Sequence, residues 1–257
     1  MDRDRSFFST RIATSDQDLR AAERLRYKVF IEELGGDGPL VDHESRFERD
    51  QFDPHYDHLI LVDSRRDAEA LDHVVGVYRL LDGETASKLG RFYSEDEYDI
   101  APLRASGRRL LELGRSCLHA DFRGGMAMYH LWNALSDYVN DHDIDVLFGV
   151  ASFHGTDVDA VAPSLSLLHH KHLAPPELRA KAHAKVFQSM NLMPLDDIDR
   201  VAAMKAVPAL IKAYLRLGGT VGDGAYVDRE FNTIDVCLIL DTEQLNERAA
   251  DVYRNAR

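Results

Sequence analysis

The chain of 257 residues sets 31 Lys and Arg against 44 Asp and Glu, a formal net charge of −13, and 45% hydrophobic residues supply a core. That acidic balance excludes the basic footprint nucleic acid demands and argues against simple electrostatic attachment to anionic lipid. Two cysteines, Cys117 and Cys237, exclude a disulfide scaffold, and no apolar run approaches the roughly 18 residues of a transmembrane helix.

Residues 7–13 alternate as a half-buried strand does, with Phe8, Thr10 and Ile12 on one side. A helix follows: Ser15 is a natural N-cap, Asp18 stands where a capping box places its acid, and Gly35-Gly36 closes the far end. Leu19, Ala22, Leu25, Val29 and Leu34 form its apolar stripe. Residues 37–56 are polar with Gly and Pro and read as a long loop, of the length that usually binds something. Strands are expected at 58–63 and 73–81, then an irregular stretch over 82–107 and a strand at 110–119. A helix at 126–140 and a strand at 146–153 follow. The second half shows helical patterns at 157–170, 176–190 and 207–217, strands at 220–227 and 232–241, and a last helix from Thr242. Gly222-Asp223-Gly224 reads as hairpin-turn chemistry. No repeat or linker divides the chain, so one α+β domain is expected over 1–257, with a mixed sheet.

The strand at 110–119 runs through Arg123-Gly124-Gly125 into a helix. A helix start offers unpaired N–H groups, and glycines let an anion approach the backbone. The strand itself contains Glu112-Leu113-Gly114-Arg115. Residues three apart in a regular strand face opposite sides, so Glu112 and Arg115 share a pocket only if a bulge at Gly114 restores the parity. Glu112 suits a general base acting through water; its alternative is a core carboxylate paired to Arg79 or Arg115.

The strand–Arg-Gly-Gly–helix pattern resembles the acyl-CoA loop of the Gcn5-related N-acetyltransferase superfamily, with Met126 where that motif has its first glycine. The shortened cradle suits a single phosphate, which favours the phosphopantetheine arm of an acyl carrier protein over coenzyme A. Four further spacings resemble the acyl-homoserine-lactone synthases: Arg26-Tyr-Lys-Val-Phe30, Asp50-Gln-Phe-Asp53, Arg79 at a strand end, and Glu112-Leu-Gly-Arg115. The stretches 110–125, 148–156 and 208–241 together resemble the bacterial L-ornithine N-α-acyltransferases, over roughly residues 20–245.

That resemblance implies the Gcn5-related acyltransferase fold, a central mixed twisted β-sheet with helices on both faces. Its donor cradle would lie in the half 1–155, and 156–257 would complete the sheet. The implied reaction moves a 3-hydroxyacyl group from acyl carrier protein to the α-amine of ornithine, giving lyso-ornithine lipid. No bound cofactor or metal is implied. Glu112 and Arg115 would be catalytic, and Arg26, Phe30, Asp50, Asp53 and Arg79 would bind the acceptor. Cys117, Leu118, Arg123, Gly124 and Gly125 would serve the donor phosphate and the oxyanion. Residues 164–192 hold Lys171, Arg179, Lys181 and Lys185 against Glu177 alone, a net +3 that leaves −16 elsewhere. This basic island is a candidate dock for an acidic carrier protein; its alternative is a solvated helix face. The His169-His170-Lys171-His172 run has no carboxylate or Cys at ligand spacing and is not read as a metal site. The expected location is cytoplasmic, with a transient contact to the inner membrane surface. The rival readings are a lactone synthase using S-adenosylmethionine and a non-catalytic acyl-carrier or lipid-binding module.

Overall fold

A computed structural model describes residues 7–245. In chain order it contains β1 (Phe8–Ile12), α1 (Asp16–Arg26), β2 (Asp57–Asp63), β3 (Val74–Asp82), α2 (Gly83–Leu89), β4 (Tyr98–Asp99), α3 (Ala101–Ala105) and β5 (Leu110–Leu118). There follow α4 (Ala127–Asp141), β6 (Val146–His154), α5 (Val158–His172), β7 (Lys181–Ala182), β8 (Phe187–Gln188), α6 (Arg200–Ala206), α7 (Ala209–Arg216), β9 (Thr220–Asp228) and β10 (Thr233–Asp241). The described residues cluster into two compact units, one of 7–81 with Leu113–Asp143, the other of Asp82–Glu112 with 144–245. The break at Glu112/Leu113 falls inside β5.

In the first unit β1 pairs antiparallel with β2, and β2 with β3. The Ser15 hydroxyl accepts the N–H of Asp18 at 3.1 Å and caps α1 as expected. Asp18 departs from the capping-box expectation: its carboxylate accepts from Arg11 at 2.8 and 2.9 Å and contacts His73 at 2.9 Å. Past Arg26 the helix widens into π-helical turns over Tyr27–Glu33, and Gly35, at φ +72°, ends it. Ala21, Ala22, Leu25 and Val29 pack on Ile60, Val62, Val77 and Cys117. On the opposite face of β2 and β3, a Cβ at Gly76 would lie 2.7 Å from both Leu118 and Leu131, so this glycine lets α4 approach the sheet closely. Helices thus cover both faces here.

In the second unit the first residues of β5 run parallel to β6, with Leu110, Leu111 and Glu112 opposite Val146, Leu147 and Phe148. From there the order is β6-β10-β9-β7-β4, with β8 also on β9. The stretch 82–107 is more regular than the sequence suggests, since Asp82 caps α2 with its carboxylate on the N–H groups of Glu84 and Thr85.

Two expectations are overturned here. Residues 176–190 are not a helix: turns at 176–178 and 184–186 alternate with the short strands β7 and β8, because Ala180 and Ala182 are buried against β9 while Lys181 between them is exposed. Period-two burial overrides a helix-favouring composition. Gly222-Asp223-Gly224 is not a hairpin turn but the interior of β9. A Cβ at Gly222 would meet the Ala180 carbonyl at 2.8 Å and one at Gly224 would overlap the Phe187 ring, so the glycines admit the neighbouring segment. The turn itself lies between β9 and β10, where Asn232 takes φ +53°. Of the helix expected from Thr242, a 3-10 turn spans Thr242–Gln244, and residues 246–257 lie outside the described ones.

Candidate active site

The loop between α1 and β2 is a built element, not a tether. Phe47, Phe52 and Tyr56 are buried, and Asp42 and Phe47 bridge one another. The Asp53 carboxylate accepts the N–H of Asp50 at 2.7 Å, and Asp50 accepts that of Phe52 at 2.9 Å, which curls the chain into an Asx turn. This curl turns three carboxylates toward three arginines.

Arg26, fully buried at the end of α1, donates from Nε to Glu48 at 2.5 Å and from both Nη atoms to Asp53 at 2.5 and 3.1 Å. Arg79, also fully buried, contacts Asp53 and Asp50 at 2.8 Å each from Nη1 and stacks on the Tyr56 ring at 4.4 Å. Arg115 reaches Glu48 at 3.1 Å and Asp50 at 3.2 Å. Every carboxylate bridges two guanidinium groups, and every guanidinium two carboxylates, so the six form a closed ring of zero net charge. The expected distortion at Gly114 falls one residue on: Arg115 takes φ +48°, a conformation costing about 1–2 kcal/mol, which its two ion pairs offset.

Burial alone would push the three carboxyls up and the guanidinium groups down. The opposite charges outweigh it, holding Glu48 and Asp50 below the carboxylate range and Asp53 far below, and raising Arg26 and Arg79. His58, whose Nε2 lies 3.1 Å from the Asp53 carbonyl, is pushed down by burial and then by Arg26.

The structure therefore brings together Arg26, Asp50, Asp53, Arg79 and Arg115, and adds Glu48, which sequence reasoning missed. A charge count was the available signal, since three inward arginines require a third acid. Phe30 stands apart, packed on the apolar cluster under α1. Cys117 is buried in the same cluster, its thiol pushed up to about 12 by burial. Leu118 is buried, and its carbonyl accepts from Arg123 at 3.0 and 3.1 Å while Arg123 pairs with Glu33 at 2.7 Å. Gly124 takes φ +76° just before α4, whose first turn has no side-chain cap.

Glu112 belongs to the second unit and is 1% exposed. Its carboxylate accepts the N–H of Tyr93 at 2.9 Å, the N–H of Ser94 at 2.6 Å and the Ser94 hydroxyl at 2.5 Å. These three neutral donors fix its orientation. In the same unit Lys181 pairs with Asp223 at 3.3 Å and, with Asp99, His183 and Phe187, lines a cavity of about 420 Å³. His170 meets the Met193 carbonyl at 2.9 Å. Among the described residues no helix is long and apolar enough to cross a membrane.

Comparison with known proteins gives this arrangement its context. Residues 25–133 match the family model of the acetyltransferase (GNAT) domain. The L-ornithine N(alpha)-acyltransferase of Rhodobacter capsulatus is 59% identical over 96% of this chain and 94% of its own length. That of Brucella abortus is 40% identical over 95% and 87%. Among solved structures, a CoA-dependent acyl-homoserine lactone synthase shares the fold, with a TM-score of 0.52 at 14% identity over 97% of this chain and 88% of that one. The α+β sheet is thus of the GNAT acyltransferase type, and the chain, an N-acyltransferase, belongs to the L-ornithine N(alpha)-acyltransferase family.

Proposed function

We propose that this enzyme moves a 3-hydroxyacyl group from the phosphopantetheine thioester of an acyl carrier protein to the α-amine of L-ornithine, giving lyso-ornithine lipid. The observation that carries the reading is identity at 59% along nearly the whole chain to a protein named for acylation of ornithine at that nitrogen. The unprotonated amine attacks the thioester carbonyl, the C–N bond forms, the C–S bond breaks, and the amine proton leaves as the thiolate is protonated. Glu112, oriented by three neutral donors, accepts the amine proton through a water. Backbone N–H groups at Cys117 and Leu118 stabilise the oxyanion. Arg123, Gly124 and Gly125 with the uncapped start of α4 receive the single phosphate of the donor arm.

Arg26, Asp50, Asp53 and Arg79, closed in a ring with Glu48, hold Arg115 and the loop in the acceptor-side conformation, with Phe30 packed behind. The basic island docks the carrier protein. The whole chain acts as one domain, supported by its passing from one compact unit to the other and back, and by β5 contributing to both. It works in the cytoplasm with a transient membrane contact, since the product is amphiphilic. Purified protein offered 3-hydroxyacyl carrier protein and ornithine should release free thiol and N-acylornithine. Consumption of S-adenosylmethionine with release of a lactone would overturn the reading, and efficient use of acyl-coenzyme A would overturn the donor assignment.

A further inference from the structure

A second group of acids stands in the second unit. Asp228 ends β9, Asp235 lies in β10, and Glu97 immediately precedes β4; one carboxylate oxygen from each lies within 4.8 Å of the others. All three are buried, at 6% exposure for Glu97, 9% for Asp228 and 4% for Asp235. The registers explain the convergence. Thr233 pairs with Asp228 and Asp235 with Tyr226 across the β9–β10 ladder. Cross-strand partners share a face, as do residues two apart on a strand. Asp228, Thr233, Asp235 and Tyr226 therefore all point to one side.

A second observation on that face indicates a ligand. The Thr233 side chain, 7% exposed, has an Oγ1 that makes no hydrogen bond. An unanswered buried hydroxyl beside gathered carboxylates is a half-built coordination shell. The surroundings are pinned: Asp228 accepts the N–H groups of Glu230 and Phe231 at 2.8 and 3.0 Å, and the Tyr98 hydroxyl donates to the Asp235 carbonyl at 2.9 Å. Three carboxylates gathered this closely favour a cation among them.

We propose that Glu97, Asp228 and Asp235, with the Thr233 hydroxyl, form the seat of the acceptor's side-chain ammonium. An ammonium carries three donors and needs three acceptors. A calcium ion would need six to eight oxygens, while one Asp228 oxygen already takes two backbone N–H groups. The seat is linked to the proposed base through Ser94, which donates to Glu112 from its N–H at 2.6 Å and whose carbonyl accepts the N–H of Glu97 at 3.1 Å. An acceptor with one amine at Glu112 and a second at the seat is a diamino acid. The inference rests on the ornithine reading and deepens it.

Calorimetry separates the two, because binding needs no turnover. The full chain should bind ornithine far more tightly than norvaline, which lacks the side-chain amine, and Asp235→Asn and Glu97→Gln should collapse that preference by about 10²-fold or more, since the amine's charged partner is removed. Thr233→Val is the control for folding. A purely structural hydroxyl predicts equal or higher thermal stability with unchanged ornithine affinity, whereas the seat predicts weaker ornithine binding, about tenfold, in a protein at least as stable. Equal losses for ornithine and norvaline, or calcium binding that disappears in Asp235→Asn while ornithine binding stays, would overturn the seat. Wild-type binding of ornithine without acyl transfer would instead overturn the function and leave the seat standing.

Discussion

The Arg26–Asp53 ring and Glu112 answer the same physical problem in opposite ways. Both bury carboxylate charge. In the ring each acid is met by two guanidinium groups, so the assembly is neutral and its carboxyls are held below their ordinary values. Glu112 accepts from two backbone N–H groups and a serine hydroxyl, which orient it, and the Arg104 guanidinium acts on its charge. Charge answered by charge gives shape and stability. Hydrogen bonds from neutral donors favour a carboxylate's charged form, the form that can accept a proton. In the proposed mechanism the first arrangement is the scaffold of the site, and the second supplies its chemistry.

Breaking the ring should have the largest effect on folding. Asp53→Asn leaves Arg26 and Arg79, both fully buried, facing a neutral amide. Removing one partner of a buried pair costs about 3–5 kcal/mol. Urea unfolding should show that loss; a change below about 1 kcal/mol would mean that the ring is not structural.

The ring should also give stability a defined acid limit. Glu48, Asp50 and Asp53 sit below their ordinary values of 4.5, 3.8 and 3.8 in the folded chain, so below those values the unfolded chain binds more protons. Their contribution is complete above about pH 5 and is lost as the pH falls through the folded values. Unfolding free energy measured between pH 6 and 3 should fall more steeply for wild type than for Asp53→Asn. Parallel curves would contradict the linkage.

An exposed pair sharpens the contrast with the buried ones. Lys181, 63% exposed at its side chain, pairs with Asp223 at 3.3 Å. Charge reversal at Lys181 and Lys185 should shift stability by less than about 1 kcal/mol. It should raise KM for the acyl carrier protein several-fold at low salt and little at high salt, because exposed charges are screened. Equal KM values at low salt would remove this docking surface.

The sequence made the alternating strands and the Ser15 cap legible, because both rest on local pattern. It also exposed the five ring members that carry a motif spacing. Glu48 was invisible, since a lone acid in a polar loop has no period and its place is set by tertiary contacts, its N–H donating to the Glu23 carbonyl of α1 and its carboxylate accepting from Arg26. Residues 176–190 misled because their side chains favour a helix while their burial is decided by β9, which comes later in the chain. Gly222 and Gly224 misled for the same reason: each is small because a neighbouring segment crosses there, and that neighbour is set by tertiary packing. The Glu97–Asp228–Asp235 cluster joins residues more than a hundred positions apart and leaves no local trace.

The division between scaffold and chemistry is tested most directly by single-turnover acyl transfer in Glu112→Gln, with unfolding measured on the same sample. The amide oxygen can keep the two Ser94 donors while its NH2 faces the Tyr93 N–H, so the protein should stay folded with a urea midpoint lowered by about the worth of one buried hydrogen bond, 1–3 kcal/mol. The transfer rate should fall by roughly 10²–10⁴-fold, the usual worth of a positioned base. Wild-type transfer in a fully folded Glu112→Gln protein would contradict the account.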